Sequence, residues 1–236
     1  MDHVGARLID DDAMPVDVAR RFFERVLSQT NRLNKIVLDL MQLSRFDSYR
    51  DQRVKRDRVE LDRELRQVYT AFKMTAEEQK VTLDLNLDDE NLVVLGDSEA
   101  ISQLISNLVE NAVKYSPEES TVVISMRREK NLAVIQVADN GIGISAPEQA
   151  RIFERFYRVD PARSREMGGT GLGLSIVKHI AEIHDGSVEV ASEPGQGSTF
   201  WFAISLPEAE NPQLSSDEDV QNISGYRVLQ DGSGQY

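Results

Sequence analysis

The chain has 236 residues, 40% hydrophobic and 28% charged, a globular composition with room for one or two domains. Its net charge of −13 argues against a nucleic-acid partner, so any polyanion it binds must be held by local cations. The absence of cysteine removes disulfides, thiolate metal sites and a cysteine nucleophile. Three histidines are too few for a histidine-rich metal site, and no apolar run approaches the roughly 18 residues of a membrane span.

No signal peptide is visible, and these absences together fit the cytoplasm. Residues 1–15, MDHVGARLIDDDAMP, read as a short helical remnant ended by an acidic loop. From Val16 to Asp47 the pattern is helical. Phe23, Val26, Thr30, Leu33, Val37, Leu40 and Ser44 recur in steps of three and four, and Phe22, Ile36 and Leu43 widen the stripe. Such a heptad-like face wants a partner helix, while Arg20, Arg21, Glu24, Arg32 and Lys35 are assigned to solvent. The charged stretch 48–58 is a linker.

Beyond it helix and strand alternate. Residues 61–80 are an amphipathic helix, 81–87 a strand, and 92–97 a short strand or turn. Residues 98–116 form a helix with Ser98 as N-cap and Pro117 past its end. A hairpin over 121–140 turns at RREKN, 146–157 is helical, and 158–171 is loop. Residues 172–186 form a helix with Gly186 as C-cap, and a second hairpin over 187–207 turns at EPGQG. After Pro207 the chain is polar and acidic, and 208–236 is read as a disordered tail. The expected fold class is α+β. A helical arm over 1–47 precedes an α/β sandwich over 59–207, with helices packed on one face of a mixed sheet.

Four clusters have chemistry to offer. Asn107, Asn111 and Lys114 lie at i, i+4 and i+7, one helical face that suits Mg²⁺ and phosphate oxygens or equally a solvated surface. In DNGIGI, Asp139 ends a buried strand, with Gly141 and Gly143 behind it. That arrangement serves a turn, or a ligand whose amino group meets the carboxylate while the backbone comes close. In GGTGLGLSIV, Gly169, Gly171 and Gly173 alternate before a helix and follow a loop bearing Arg158, Arg163 and Arg165. This is an anion site or an ordinary mobile loop, and it matches neither a Walker A nor a Rossmann sequence. The fourth, GQGST at 195–199, is explained by turn chemistry alone.

In this order and spacing, the clusters resemble the boxes of one family. Residues from about 60 to 207 are similar to the catalytic ATP-binding domain of sensor histidine kinases, a Bergerat-type fold shared with DNA gyrase and MutL. NLVENAVKYS looks like the N box, DNGIGI the first glycine box, IFERFYR the F box, GGTGLGL the second glycine box, and GQGSTF the last. The resemblance implies that Asp139 accepts from the adenine amino group. It implies that Asn111 coordinates Mg²⁺, with Asn107 one turn before it, and that Lys114 and Arg158 contact phosphate. Tyr115 is expected against the nucleotide. Residues 159–168 become a lid, and Gly141, Gly143, Gly169, Thr170, Gly171, Leu172 and Gly173 bind the ATP by close backbone approach. Hydrolysing relatives carry a glutamate general base at the position of Asn107. An amide cannot take that proton, and Glu110 is expected to project about 100° away from Asn111.

The phosphoacceptor histidine of the family belongs on the first helix of a dimerisation hairpin. Residues 16–47 resemble the second helix, and only residues 1–15 precede it. His3 lacks the acceptor's flanking signature, and His179 and His184 are read as helix residues without a catalytic part. The chain therefore reads as the C-terminal part of a sensor kinase, whose complete form can be membrane-anchored. The implied partners are the dimerisation hairpin of the complete kinase, as a homodimer, and a response-regulator receiver domain. An anti-sigma-type serine kinase and a non-enzymatic ATP-binding interaction module are the alternatives.

Overall fold

A computed structural model describes residues 16–47, 56–88, 91–160 and 169–207. The expectations for residues 1–15, for most of the linker, for most of the lid and for the tail lie outside these ranges.

The elements run α1 (Val16–Asp47), β1 (Asp57–Glu60), α2 (Leu61–Glu78), β2 (Thr82–Leu87), β3 (Val93–Gly96), α3 (Ser98–Tyr115), β4 (Thr121–Glu129) and β5 (Leu132–Asp139). After α4 (Ala146–Gln149) come α5 (Gly173–Ile183), β6 (Ser187–Glu193) and β7 (Gly197–Ser205). Five strands form one sheet in the order β2-β4-β5-β7-β6, and only β2 and β4 pair in parallel. A separate antiparallel ribbon joins β1 to β3, with Val59 opposite Val94 and both buried.

The core forms because the strands alternate. Val122, Ile124 and Met126 of β4, Ile135 and Val137 of β5, and Phe200, Phe202 and Ile204 of β7 face one side and are buried. They meet the apolar faces of α3 (Ile101, Leu104, Ile105, Leu108) and α5 (Ile176, Val177, Ile180), which are buried too. The other sheet face is half-exposed and polar: Gln136 Oε1 accepts from Trp201 Nε1 at 3.0 Å and from Arg127 Nη1 at 3.1 Å. The expected sandwich is therefore present, and among the described residues no helix is long and apolar enough to cross a membrane.

Four local expectations need correction. The N-cap of α3 is Asp97, whose carboxylate accepts from Ala100 N–H at 3.1 Å; Ser98 is inside the helix and donates to Glu64 Oε1 at 2.8 Å. The first hairpin stays paired through Arg127, Arg128 and Glu129, so its turn is confined to Lys130 and Asn131. The helix expected over 146–157 stops at Gln149. Tight turns follow, such as Glu154 N–H to Arg151 O, and Phe156 at φ 65° cannot continue a right-handed helix. At the end of α5 the left-handed residue is Asp185, φ 53°, not Gly186. Gly186 N–H bonds Ala181 O and Asp185 N–H bonds Glu182 O, the pair of a Schellman motif. Gly186 is a glycine for room: a Cβ there would lie 2.5 Å from Ala203 O.

The arm also docks differently from its pattern. Most of its heptad stripe is exposed, with Phe23 at 68%, Leu33 at 63% and Val37 at 53%, although Leu43, expected to widen it, is buried. The side turned to the sandwich carries Lys35, Asp39, Gln42 and the buried Leu43. Lys35, assigned to solvent by its charge, pairs with Glu110. Gln42 donates to Gln103 at 3.2 Å, and Arg45 forks onto Glu99 with two bonds of 3.0 Å.

His184 staples the start of α3 to the end of α5. Its Nε2 accepts from Asp97 N–H at 3.0 Å, so the proton sits on Nδ1, 2.8 Å from Ile180 O. Burial pushes its pKa down, against the opposing influence of the Ile180 bond. A group with a lowered folded pKa binds fewer protons folded than unfolded. Its contribution is complete above the ordinary histidine pKa of about 6.5 and is lost as pH falls through it. The melting temperature of the native chain should therefore drop more steeply from about pH 7.5 to about pH 5 than that of His184→Gln. Parallel profiles would show that the staple does not depend on neutral imidazole.

Candidate active site

The C-terminal end of β5, the inner face of α3, the turn before α5 and one face of the arm surround a single cleft. At one end is Asp139. Its Oδ1 accepts from Gly141 N–H at 2.8 Å and from Ser198 N–H at 3.1 Å, and no described residue bonds Oδ2. Burial raises the Asp139 pKa, and the two backbone bonds pull it back toward the ionised form. Ile142, Ile144, Ile152, Leu174 and Phe200 give the cleft an apolar part to its lining.

The cleft also carries cations. Lys114 and Arg158 line it, as do Gly169, Gly171 and Gly173. Burial lowers the Lys114 pKa, Glu110 opposes that shift, and Lys35 and Arg158 add to it. The Lys114 ammonium lies 5.5 Å from the Tyr115 ring centroid. The Arg158 guanidinium donates to Gly169 O, which joins the two ends of the 159–168 segment.

Two glycines here have a conformation or a contact that a side chain forbids. Gly143 has φ 69°, and a Cβ on it would lie 1.9 Å from Glu193 O. Gly171 has φ 77°, with Phe156 backbone atoms 2.9–3.1 Å from its would-be Cβ.

Most of the residues singled out in the sequence gather here. Asn111, Lys114, Tyr115, Asp139, Gly143, Arg158, Gly169, Thr170, Gly171 and Gly173 all line the cleft. Gly141 and Leu172 do not. Gly141 closes the turn under Asp139, where a Cβ would lie 2.7 Å from Tyr115 O, and Leu172 is wholly buried at the start of α5. Asn107 lines the cleft but has both ends of its amide engaged. Nδ2 donates to Gly173 O at 3.3 Å, and Oδ1 accepts from Gln103 at 3.0 Å. Asn111 lines the cleft with no hydrogen bond to a described residue.

Sequence reasoning missed Lys35, Asp39, Glu110, Ser198 and the apolar slot, all of which line the cleft. For Glu110 the signal was present. It lies at i+3 from Asn107, on the same broad face as Asn111 and Lys114, although measured from Asn111 alone it seemed to point elsewhere. Lys35 and Asp39 had no signal, because they come from the arm. Asp39 is buried, accepts from the Thr170 hydroxyl at 2.7 Å, and has its pKa raised by burial against the effects of that bond and of Lys35.

A carboxylate acceptor in an apolar slot, facing a glycine turn with two cations, defines a nucleotide-binding domain of the ATPase class. Comparison with known proteins carries this further. The model of the histidine kinase-, DNA gyrase B-, and HSP90-like ATPases matches residues 96–209 of this chain. The chain is 41% identical over 202 residues to the sensor-like histidine kinase SenX3 of Mycolicibacterium smegmatis, covering 86% of this chain and 52% of that protein. It is 40% identical over 204 residues to the sensor histidine kinase WalK of Bacillus subtilis, covering 86% of this chain and 33% of WalK. The chain thus spans about half the length of SenX3 and a third of that of WalK. Both alignments are too long to stop at the ATPase domain and extend into the arm. Among solved structures, full-length ShkA in complex with AMPPNP superimposes with a TM-score of 0.67 at 26% identity, over 84% of this chain and 41% of that one.

The packing of Gly143 yields a direct test. Gly143→Ala should lose about 2–4 kcal/mol of stability, since the added methyl meets the Glu193 carbonyl in a left-handed backbone. Equilibrium urea unfolding would measure it, and an unchanged midpoint would contradict the observed packing.

Proposed function

We propose that the cleft binds Mg-ATP and positions its γ-phosphoryl group for transfer to a histidine on the dimerisation hairpin of the complete kinase. From there it would pass to an aspartate on a response-regulator receiver domain. The observation that carries the reading is the lining of the cleft. A half-buried carboxylate with one oxygen unclaimed by any described residue shares an apolar-lined cleft with Lys114, Arg158 and a glycine turn. An adenine amino group suits the first and polyphosphate the second. The kinship with SenX3 and WalK, and the AMPPNP carried by ShkA, support the same reading.

Asp139 would accept from the adenine amino group through Oδ2, while Gly141 and Ser198 hold Oδ1 still. Tyr115 and Ile142 would flank the nucleotide, and Lys114 and Arg158 would neutralise phosphate oxygens. A bound Mg²⁺ would supply positive charge that offsets charge developing on the phosphates. Asn111 fits it best, as a hard oxygen ligand with no competing bond. Asn107 fits the metal less well, since its amide already brackets α3 to Gly173. In the transfer, the acceptor nitrogen attacks the γ-phosphorus, the bond to the β–γ bridging oxygen breaks, and ADP leaves. Asn107 offers no base for water, and Glu110 is tied to Lys35, so this chain's residues favour holding ATP over hydrolysing it.

The exposed stripe of α1 supports homodimerisation through the hairpin of the complete kinase. The sequence has no residue in the acceptor's context, so labelled ATP should leave no label on this chain alone. Label should appear on an added dimerisation hairpin from the complete kinase. Asp139→Asn should weaken ATP binding about tenfold or more, read by calorimetric titration. Unchanged affinity would sink the adenine assignment, and label on the chain alone would mean that it carries its own acceptor.

A further inference from the structure

Thr170 is buried between the glycines of the turn before α5, and its hydroxyl is a relay. Oγ1 accepts from Leu172 N–H at 3.2 Å, which ties the turn to the N-terminus of α5. The single hydroxyl proton goes to Asp39 Oδ2 at 2.7 Å, on the arm. A buried hydroxyl without an acceptor is costly, and reaching a new acceptor by a change of side-chain rotamer would withdraw Oγ1 from Leu172 N–H. The shape of the turn thus depends on a residue more than a hundred positions away.

The docked arm is otherwise held loosely. Its links to α3 are the Lys35–Glu110 and Arg45–Glu99 pairs, partly or largely exposed, and one Gln42–Gln103 bond, with Leu43 as a buried apolar anchor. Exposed ion pairs contribute little, so such a polar interface is reversible. Asp39 is the buried polar residue of this interface and, like Lys35 and Glu110, it lines the cleft.

We propose that Asp39 is a positioning residue for nucleotide binding: by accepting the Thr170 proton, the docked arm sets the glycine turn that receives the phosphates. The inference rests on the cleft being an ATP site. It makes arm docking and ATP binding mutually favourable, since a turn already set need not be ordered by the ligand. Plain electrostatics predicts the opposite sign. Asp39 is a carboxylate beside a phosphate site, and repulsion alone would make its removal strengthen binding.

That difference in sign decides the matter. Titrations of the whole chain with ATP and with adenosine would compare the native protein with Asp39→Ala, Asp39→Asn, Thr170→Val, and Asp39→Ala combined with Thr170→Val. Asp39→Ala should weaken ATP binding about three- to tenfold with adenosine affinity unchanged. Asp39→Asn, whose amide oxygen still accepts the proton, should restore most of the loss. The double variant should be no weaker than Thr170→Val alone. Tighter or unchanged ATP binding by Asp39→Ala would overturn the proposal, as would additive losses in the double variant. Failure of the native chain to bind ATP at all would overturn the reading of the cleft, and this inference with it.

Discussion

The cleft depends on one carboxylate oxygen. Asp139 Oδ1 receives two backbone N–H groups from segments nearly sixty residues apart, the turn behind β5 and the start of β7. It thereby fixes where β5 ends and where Gly141 turns. The same corner requires Gly197, at φ 88°, because a Cβ there would lie 2.0 Å from Asp139 O. Ser192 completes it, donating to Gly197 O at 2.6 Å and accepting from Ile144 N–H at 2.8 Å. The last glycine box, read as turn chemistry from sequence, is thus the floor under the first. Burial raises the pKa of Asp139, but two N–H donors on one oxygen favour the ionised form, which is the form an amino group needs.

The glycine turn is built by a different device. Asn107 joins α3 to the first residue of α5 by its amide, and Thr170 joins the preceding turn to the arm. The two helices already share a core through Leu104, Leu108, Ile176 and Ile180, so the amide adds register more than adhesion. A residue at this position that served as a base would need a free acceptor directed into the cleft. Asn107 instead spends its acceptor on Gln103. The feature that denies the cleft a base also gives the glycine turn a fixed wall.

The sheet, the three long helices of the sandwich and most of the cleft were legible in the sequence, because period-2 and period-3.6 patterns report burial locally. Asp139, Asn111, Lys114 and the glycines were legible as types in an order. What escaped had one of two physical causes. The helix expected over 146–157 fails because Phe156 takes a left-handed backbone that packs on Gly171, a tertiary contact that overrides local propensity. Lys35 and Asp39 escaped because charge on a helix reads as solvation. The arm turned the logic around, exposing its apolar stripe and burying part of its polar face.

That inversion has a physical reason. A helix with two usable faces can serve two partners, and each face constrains the other. The stripe of Phe23, Val26, Leu33, Val37 and Leu40 is large and apolar, suited to a durable helical partner. The face of Lys35, Asp39, Gln42 and Arg45 makes bonds that water can replace at little cost, apart from the buried carboxylate and Leu43. Among the described polar links of the arm to the sandwich, the bond from Thr170 to Asp39 joins two buried groups, so its loss would leave a buried hydroxyl unsatisfied beside the cleft.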